Sequence, residues 1–113
     1  MRKILILIPV YNDWDSLKKL IEEINENIKN FDDINFECLI INDASTAIAP
    51  ELNKPSKFSS LELFNMKKNK GHSRCNAFGI RHIFKNKKFD NLILMDGDGE
   101  DRPEEIKSLI EKI

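Results

Sequence analysis

The sequence predicts an α/β protein, a three-layer α/β/α sandwich with a mostly parallel sheet, in which all 113 residues form a single domain. Two observations lead to this prediction. Continuous apolar runs are typical of strands that are covered on both faces, and segments with helical apolar periodicity separate those runs. Strands that alternate with helices form right-handed crossovers, which make neighbouring strands parallel.

The predicted strands are short runs rich in apolar and β-branched residues. The first run, "KILILIP", has apolar residues in succession, as in a strand buried on both faces. The third, "SLELFNM", alternates between apolar and polar residues. The four predicted strands are residues 3–9, 36–42, 60–66 and 91–96.

Helices are predicted between and after these strands. Leucine and isoleucine recur at helical spacing over residues 16–30, with Asp13 or Asp15 as the N-terminal cap. A second helix covers residues 72–86 despite an internal glycine, and a third begins at Pro103. Residues 44–60 contain two prolines and no clear period, so they are predicted to be mostly loop.

Composition excludes several classes of function. The chain has 18 basic and 19 acidic side chains, so it lacks the excess of basic residues that would indicate a nucleic-acid partner. No apolar run approaches the roughly 20 residues that a membrane span needs, and a cytoplasmic location is expected. Cys38 and Cys75 have no nearby cysteine partner, which favours buried free thiols over a disulfide or a zinc site.

Polar residues are concentrated where the predicted strands end. Ligands of parallel α/β sheets bind outside the carboxyl ends of the strands. Those ends are "PVYND" (9–13), "NDAST" (42–46), "NKGHSR" (69–74) and "DGDGED" (96–101). The sequence therefore predicts one binding site along this rim of the sheet.

The acidic segment after the fourth strand is the strongest indication of chemistry. Asp96 and Asp98 flank a glycine, and carboxylate oxygens at this spacing suit Mg²⁺ or Mn²⁺. Magnesium keeps further coordination positions for water and substrate phosphates, so a nucleotide diphosphate is the expected ligand. The alternative is a solvated turn with helix caps, and this alternative is favoured for Asp101 and Glu104.

Other motif classes fit this sequence less well. An EF-hand loop starting at Asp96 would need Gly at its sixth position and Glu at its twelfth, where this chain has Asp101 and Lys107. "DGDG" also resembles the motif of haloacid-dehalogenase-like phosphatases, with Asp96 as nucleophile, but it follows the fourth strand rather than the first. The loop after the first strand has no glycine, which excludes a dinucleotide-binding fingerprint.

The other rim segments offer groups that suit a nucleotide. Tyr11 presents a ring on which a base can stack, with Asn12 and Asp13 beside it for polar contacts. Asp43 can accept a hydrogen bond from a ring N–H such as the imide of uracil. Packing of Tyr11 and turn formation by Asp43 are the structural alternatives. The cationic residues of the third segment, which could contact diphosphate oxygens or a base carbonyl or could simply be exposed surface residues, are Lys70, His72 and Arg74.

Together, these four segments resemble the N-terminal half of a family-2 inverting glycosyltransferase of the GT-A fold, in its dolichyl-phosphate-mannose-synthase-like branch. The matching motifs are "IPVYND", "INDAST", "NKGHSRCNAFGI" and "MDGDGEDRPEEI", in order along the whole chain. The resemblance implies a Rossmann-like nucleotide-binding half. The residues that it implies for the base are Pro9, Tyr11, Asn12, Asp13 and Asp43, and those that it implies for the metal are Asp96, Asp98 and, with weaker support, Glu100.

The resemblance also implies a reaction and its partners. A sugar would pass from a UDP- or GDP-linked donor, with inversion and a Mg²⁺ or Mn²⁺ cofactor, to a glycan or a lipid-linked polyprenyl phosphate. Catalytic and acceptor-binding residues of the family follow the fourth strand, so the general base is expected beyond Ile113 and the chain is expected to be a donor-binding half. The full-length protein would associate peripherally with the cytoplasmic face of the membrane. An unpaired edge on the fourth strand would give a route to a homodimer.

Three positions depart from the family pattern. Asp13 replaces the usual Glu, Asn42 the first Asp, and Ala44 the usual Gly. Ala44 is expected to resist a positive φ if the loop requires one. A nucleotide-binding module without catalysis is the alternative function.

Overall fold

The structure is a computed structural model that describes residues 2–67, 71–96 and 103–112, apart from the side chains of residues 71–76, 84 and 86. The predicted α/β class is confirmed. The elements are β1 (Arg2–Val10), α1 (Trp14–Asn27), β2 (Ile34–Asn42), β3 (Phe58–Asn65), α2 (Gly71–Asn86), β4 (Asn91–Leu94) and α3 (Glu105–Lys112).

The four strands form one parallel sheet in the order β3-β2-β1-β4. From β1 the chain moves outward to β2 and β3, and it then returns across the sheet through α2 to place β4 on the other side of β1. The strand order therefore reverses between β1 and β4. This topological switch point opens a crevice at the carboxyl ends of the strands, where ligands of such sheets bind.

Side chains alternate along each strand, so both faces of the sheet carry apolar side chains. Helices cover both faces. Ile4, Ile6 and Ile8 of β1 are buried in a cluster that contains apolar residues of α1 and α3. Leu5 and Leu7 point to the opposite face and pack in a second cluster with Ile83 of α2 and apolar residues of β2. β1 is thus covered on both faces, as its uninterrupted apolar sequence predicts.

Residues 43–57 connect β2 to β3 without a helix, as predicted. Ala49 and Leu52 of this connection pack against the cluster beneath α1. β3 begins at Phe58, two residues before the predicted start, because that side chain is buried in the same cluster and pairs with Phe36 of β2.

β4 ends at Leu94, although the apolar run predicted a strand to residue 96. The Leu7 carbonyl of β1 faces β4, because it accepts a hydrogen bond from Met95 N at 3.0 Å. Backbone groups alternate sides along a strand, so the next residue of β1 to face β4 is residue 9. That residue is proline, which has no N–H to donate, and pairing of β1 with β4 stops there.

The buried free thiol expected at Cys38 is confirmed. Cys38 lies on β2 within the core cluster, and burial raises the pKa of its thiol to about 12. Because the thiolate is the reactive form, this cysteine is chemically inert at neutral pH. The side chain of Cys75 lies outside the described part of α2.

Candidate functional site

The carboxyl ends of β1 and β2 bring two predicted binding segments together. The first rim loop, residues 11–13, follows β1, and the second rim loop, residues 43–47, follows β2. The two strands are paired along their whole length to Val10 and Asn42, and Asp43 N donates to Val10 O at 2.8 Å. Sheet pairing therefore holds the bases of the two loops side by side.

The first rim loop presents its side chains to solvent. Tyr11 is 37% exposed, so its ring is not packed in the core and remains available for stacking. Asn12 and Asp13 are also exposed. Asp13 occupies the N-cap position of α1 as predicted, but its side chain makes no capping hydrogen bond.

Asn12 connects the first rim loop to the second through four hydrogen bonds, in one of which Thr46 Oγ1 donates to its Oδ1 at 3.3 Å. Its backbone N donates to Ser45 Oγ at 2.9 Å, and its Nδ2 donates to Thr46 Oγ1 at 3.1 Å. Its Oδ1 accepts from Ala47 N at 2.9 Å. The amide side chain is thus engaged at both its donor and its acceptor end by protein groups.

Asn42 extends these connections to the end of β3. Its Oδ1 accepts from Ser45 N at 3.0 Å, while its Nδ2 donates to Asn65 Oδ1 at 2.9 Å. The backbones are joined at the same place, where Met66 N donates to Asn42 O at 2.8 Å. One series of hydrogen bonds therefore runs across the rim from the end of β3 to the end of β1.

Asp43 is buried at the rim, with only 1% of its surface exposed. It directly follows β2, and its backbone is fixed to the end of β1. A buried carboxylate is costly to desolvate unless hydrogen bonds compensate it, and hydrogen bonds to an ionised carboxylate are strong.

Two non-glycine residues of these loops have a positive φ, Asn12 at 63° and Ala44 at 56°. Asparagine tolerates this left-handed conformation, whereas alanine gains nothing from it and is strained by about 1–2 kcal/mol. The second rim loop does require the conformation that Ala44 was expected to resist.

Pro9 lies behind the rim rather than on it. It is buried in β1 opposite Ile41 of β2. Its position predicts support of the first rim loop from beneath.

Asp96 follows β4 and is half-buried at the switch point. A carboxylate there fits a hard cation by its chemistry, because oxygen is the donor that Mg²⁺ and Mn²⁺ prefer. Lys70, Asp98 and Glu100 lie outside the described residues, as does the side chain of Arg74 at the start of α2. Within the described residues no three metal-binding side chains cluster.

Ser45, Thr46 and Asn65 were not singled out as site residues from the sequence. Serine and threonine after "ND" are typical turn residues that bond to nearby backbone, which was the available signal for the first two. Nothing in the sequence around Asn65 indicates its contact with Asn42, because that contact depends on the register of β2 and β3.

Comparison with known sequences identifies relatives along almost the whole chain. The sequence profile of the family described as "Glycosyl transferase family 2" matches residues 5–113. Proteins named undecaprenyl-phosphate 4-deoxy-4-formamido-L-arabinose transferase, from Salmonella choleraesuis (strain SC-B67) and Salmonella newport (strain SL254), are each 29% identical over 115 residues. The alignments cover 99% of this chain and 34% of each relative, so the chain spans about a third of their length.

None of the helices in the described part of the chain is long and apolar enough to cross a membrane.

Proposed function

Since the chain belongs to glycosyl transferase family 2, we propose that it is the donor-binding half of an enzyme that transfers a sugar from a UDP- or GDP-linked donor with inversion. The observation that carries the proposal is that an exposed Tyr11 and a buried Asp43 lie at adjoining strand ends, beside the switch point. A stacking ring and a buried acceptor are the two groups that recognition of a nucleobase requires.

The base would lie between the two rim loops. Tyr11 stacks on its face, and Asp43 accepts a hydrogen bond from a ring N–H such as the imide of uracil. Asp13 and Asn12 are the neighbouring polar residues of the first rim loop, and Pro9, buried near the end of β1, is the further residue proposed to line the base pocket.

The diphosphate would extend toward the switch point. Lys70 and Arg74 contribute positive charge near the start of α2, and Asp96, Asp98 and Glu100 are the residues that would hold Mg²⁺ or Mn²⁺. When bound, the cation supplies charge neutralisation of the diphosphate, which stabilises the departing nucleotide. Support for the role of Asp96 is its place in the chain, two residues after β4 ends, because ligands of such sheets bind outside the carboxyl ends of the strands.

The acceptor that we propose is a polyprenyl phosphate, because the relatives are named for undecaprenyl phosphate. A phosphate acceptor is already ionised at neutral pH and attacks the anomeric carbon without a general base, whereas an alcohol would need one. Attack from the face opposite the leaving nucleotide inverts that carbon. A lipid-linked acceptor would bring the full-length protein to the cytoplasmic face of the membrane.

We also propose self-association through β4. In the described part of the chain β4 is paired only with β1, and Leu94 at its end is 48% exposed. A free strand edge with an exposed apolar side chain is a template for pairing with a second copy.

Calorimetric titration with UDP, GDP and their sugar conjugates, with and without Mn²⁺, tests the donor site. We expect one base to be preferred, and we expect Asp98→Ala to weaken metal-dependent binding by at least about tenfold because a charged ligand of the cation is lost. The matched control is Asp33→Ala, which removes an exposed carboxylate next to the amino end of β2, at the other end of the sheet.

Three results would count against the proposal. Absence of nucleotide binding at millimolar concentration contradicts the donor site itself. Equal weakening by Asp98→Ala and Asp33→Ala contradicts the metal site at the acidic segment. Binding with no preference for any base contradicts the role of Asp43, since stacking on Tyr11 suits every base.

A further inference from the structure

The amide of Asn12 lies among the groups expected to contact the base, but its hydrogen bonds are already used within the protein. Oδ1 accepts from Ala47 N at 2.9 Å and Nδ2 donates to Thr46 Oγ1 at 3.1 Å. Backbone N donates to Ser45 Oγ at 2.9 Å. Because Nδ2 carries two hydrogens, a base could accept from the second one, but the amide could not turn to meet the base without breaking contacts that join the two rim loops.

Hydrogen bonds from two asparagines hold the second rim loop. Residues 43–47 belong to no helix or strand, and Ala44 adds the strain of a positive φ. Asn42 fixes the beginning of the loop through its bond from Ser45 N, and Asn12 fixes its end through Ala47 N. These two asparagines hold the loop from both sides.

Asn42 performs this role because it is an amide. It accepts from Ser45 N and at the same time donates to Asn65 Oδ1. An ionised carboxylate, which the family pattern has at this position, can accept from Ser45 N but cannot donate to Asn65 Oδ1. The link between β3 and the second rim loop thus uses one of the positions at which this chain departs from its family.

We propose that Asn12 is a positioning residue, which together with Asn42 holds the second rim loop against the first before the nucleotide arrives. Asn12 acts on the ligand by holding the second rim loop in place beside Tyr11 and Asp43, whose backbones the sheet pairing already fixes, rather than by contacting the base. A loop that is already ordered loses less conformational entropy on binding, so affinity rises without a new contact. This inference rests on the proposed function of the rim as a nucleotide site.

The first test requires no ligand. In Asn12→Gly the amide is removed, while glycine accepts the positive φ without strain. Hydrogen exchange followed by NMR should show a protected Ala47 amide in the wild-type protein and an exchange rate at least about tenfold faster in Asn12→Gly. An Ala47 amide that exchanges freely in the wild type would overturn the inference, because the loop would not be held.

The second test compares ligands with and without a base. Asn12→Gly should bind the preferred nucleoside diphosphate about tenfold more weakly in the presence of Mn²⁺, while its affinity for inorganic pyrophosphate stays unchanged. Pyrophosphate lacks the base and does not use the space between Tyr11 and Asp43. Equal weakening of both ligands would indicate general damage and overturn the positioning role.

Thr46 offers a matched pair of variants. Thr46→Val keeps the shape of the side chain and removes its hydroxyl, whereas Thr46→Ser keeps the hydroxyl that contacts Asn12. We expect a loss of about threefold in nucleoside diphosphate affinity for Thr46→Val, in keeping with the exposed hydrogen bonds between this hydroxyl and the Asn12 amide, and recovery in Thr46→Ser. Wild-type affinity in both Thr46→Val and Asn12→Gly would overturn the inference and leave the donor site standing.

A wild-type protein that binds no nucleoside diphosphate would instead overturn the proposed function, and the positioning role with it. The exchange measurement distinguishes the two failures, since it reports on the rim loops without any ligand.

Discussion

Asn12 and Ala44 share a left-handed backbone conformation, with φ of 63° and 56°, but only asparagine is suited to it. Asn12 also gains hydrogen bonds from Ser45, Thr46 and Ala47 in that conformation. Ala44 has a methyl group that cannot compensate for its strain. The strained position is therefore a place where a single substitution should stabilise the protein.

Ala44→Gly is expected to raise the free energy of unfolding by about 0.5–1 kcal/mol. Relief of the left-handed strain, about 1–2 kcal/mol, exceeds the entropy that an added glycine loses on folding. Urea denaturation of both proteins measures the difference.

Ala47→Gly serves as the control, because Ala47 is in the same loop and has no positive φ. Glycine there should lower the free energy of unfolding by about 0.5–1 kcal/mol, since only its entropic cost remains. If both substitutions destabilise the protein alike, Ala44 is not strained.

Single residues differ in how well the sequence predicts their roles. Tyr11 and Asp43 were predicted from residue type and position at strand ends, and the structure brings them to one rim. Asn12 was predicted at the same site, but its engagement with Ala47 depends on the path of the second rim loop. No local sequence pattern encodes that path, so the bond could not be foreseen.

Among the elements, type and order were predicted correctly and the boundaries were less accurate. α1 begins at Trp14, two residues before the predicted start, and Trp14 is buried at the edge of the core. β4 ends two residues early because its partner strand lacks a donor at Pro9. Apolar periodicity finds the middle of an element, while its ends depend on tertiary partners.

The packing of α2 on the sheet depends on Gly79. A Cβ at this position would lie 2.9 Å from Leu7 Cδ2 and 3.3 Å from Ile41 Cγ1. Both of these side chains are fully buried, so neither has space into which to move. Glycine has a low helix propensity, but the close approach of α2 to the sheet requires it at position 79.

Gly79→Ala is expected to lower the free energy of unfolding by about 1–2 kcal/mol, as measured by urea denaturation. Overpacking against Leu7 costs more than the roughly 1 kcal/mol of helix propensity that alanine gains.

The same substitution in a Leu7→Ala background provides the control. With the Leu7 methyl groups absent, Gly79→Ala should become neutral or stabilising. A loss of equal size in both backgrounds would show that the contact with Leu7 is not the cause.

At the scale of the whole molecule, we predict self-association from the edge of β4 that has no partner strand among the described residues. Leu94→Lys should weaken dimerisation by at least about tenfold, because a charged side chain on an edge strand opposes pairing with a second sheet. Sedimentation velocity over a range of concentrations gives the dimer dissociation constant.

Leu109→Lys is the matched control, since Leu109 on α3 is 50% exposed and lies on a helix instead of the sheet edge. It should leave the dissociation constant unchanged. A protein that remains monomeric at all concentrations, or that responds equally to both substitutions, would contradict pairing through β4.

The proline at position 9 has a further consequence for the shape of the crevice. Past Leu7, β1 presents no donor to the carbonyl of Met95, so the chain that leaves β4 toward Asp96 is no longer paired with β1. Any other residue at position 9 would supply an N–H, which could bond to the Met95 carbonyl and continue the pairing for one more step. The missing N–H of Pro9 thus ends the pairing and leaves the cleft between β1 and the chain after β4 deeper than it would otherwise be.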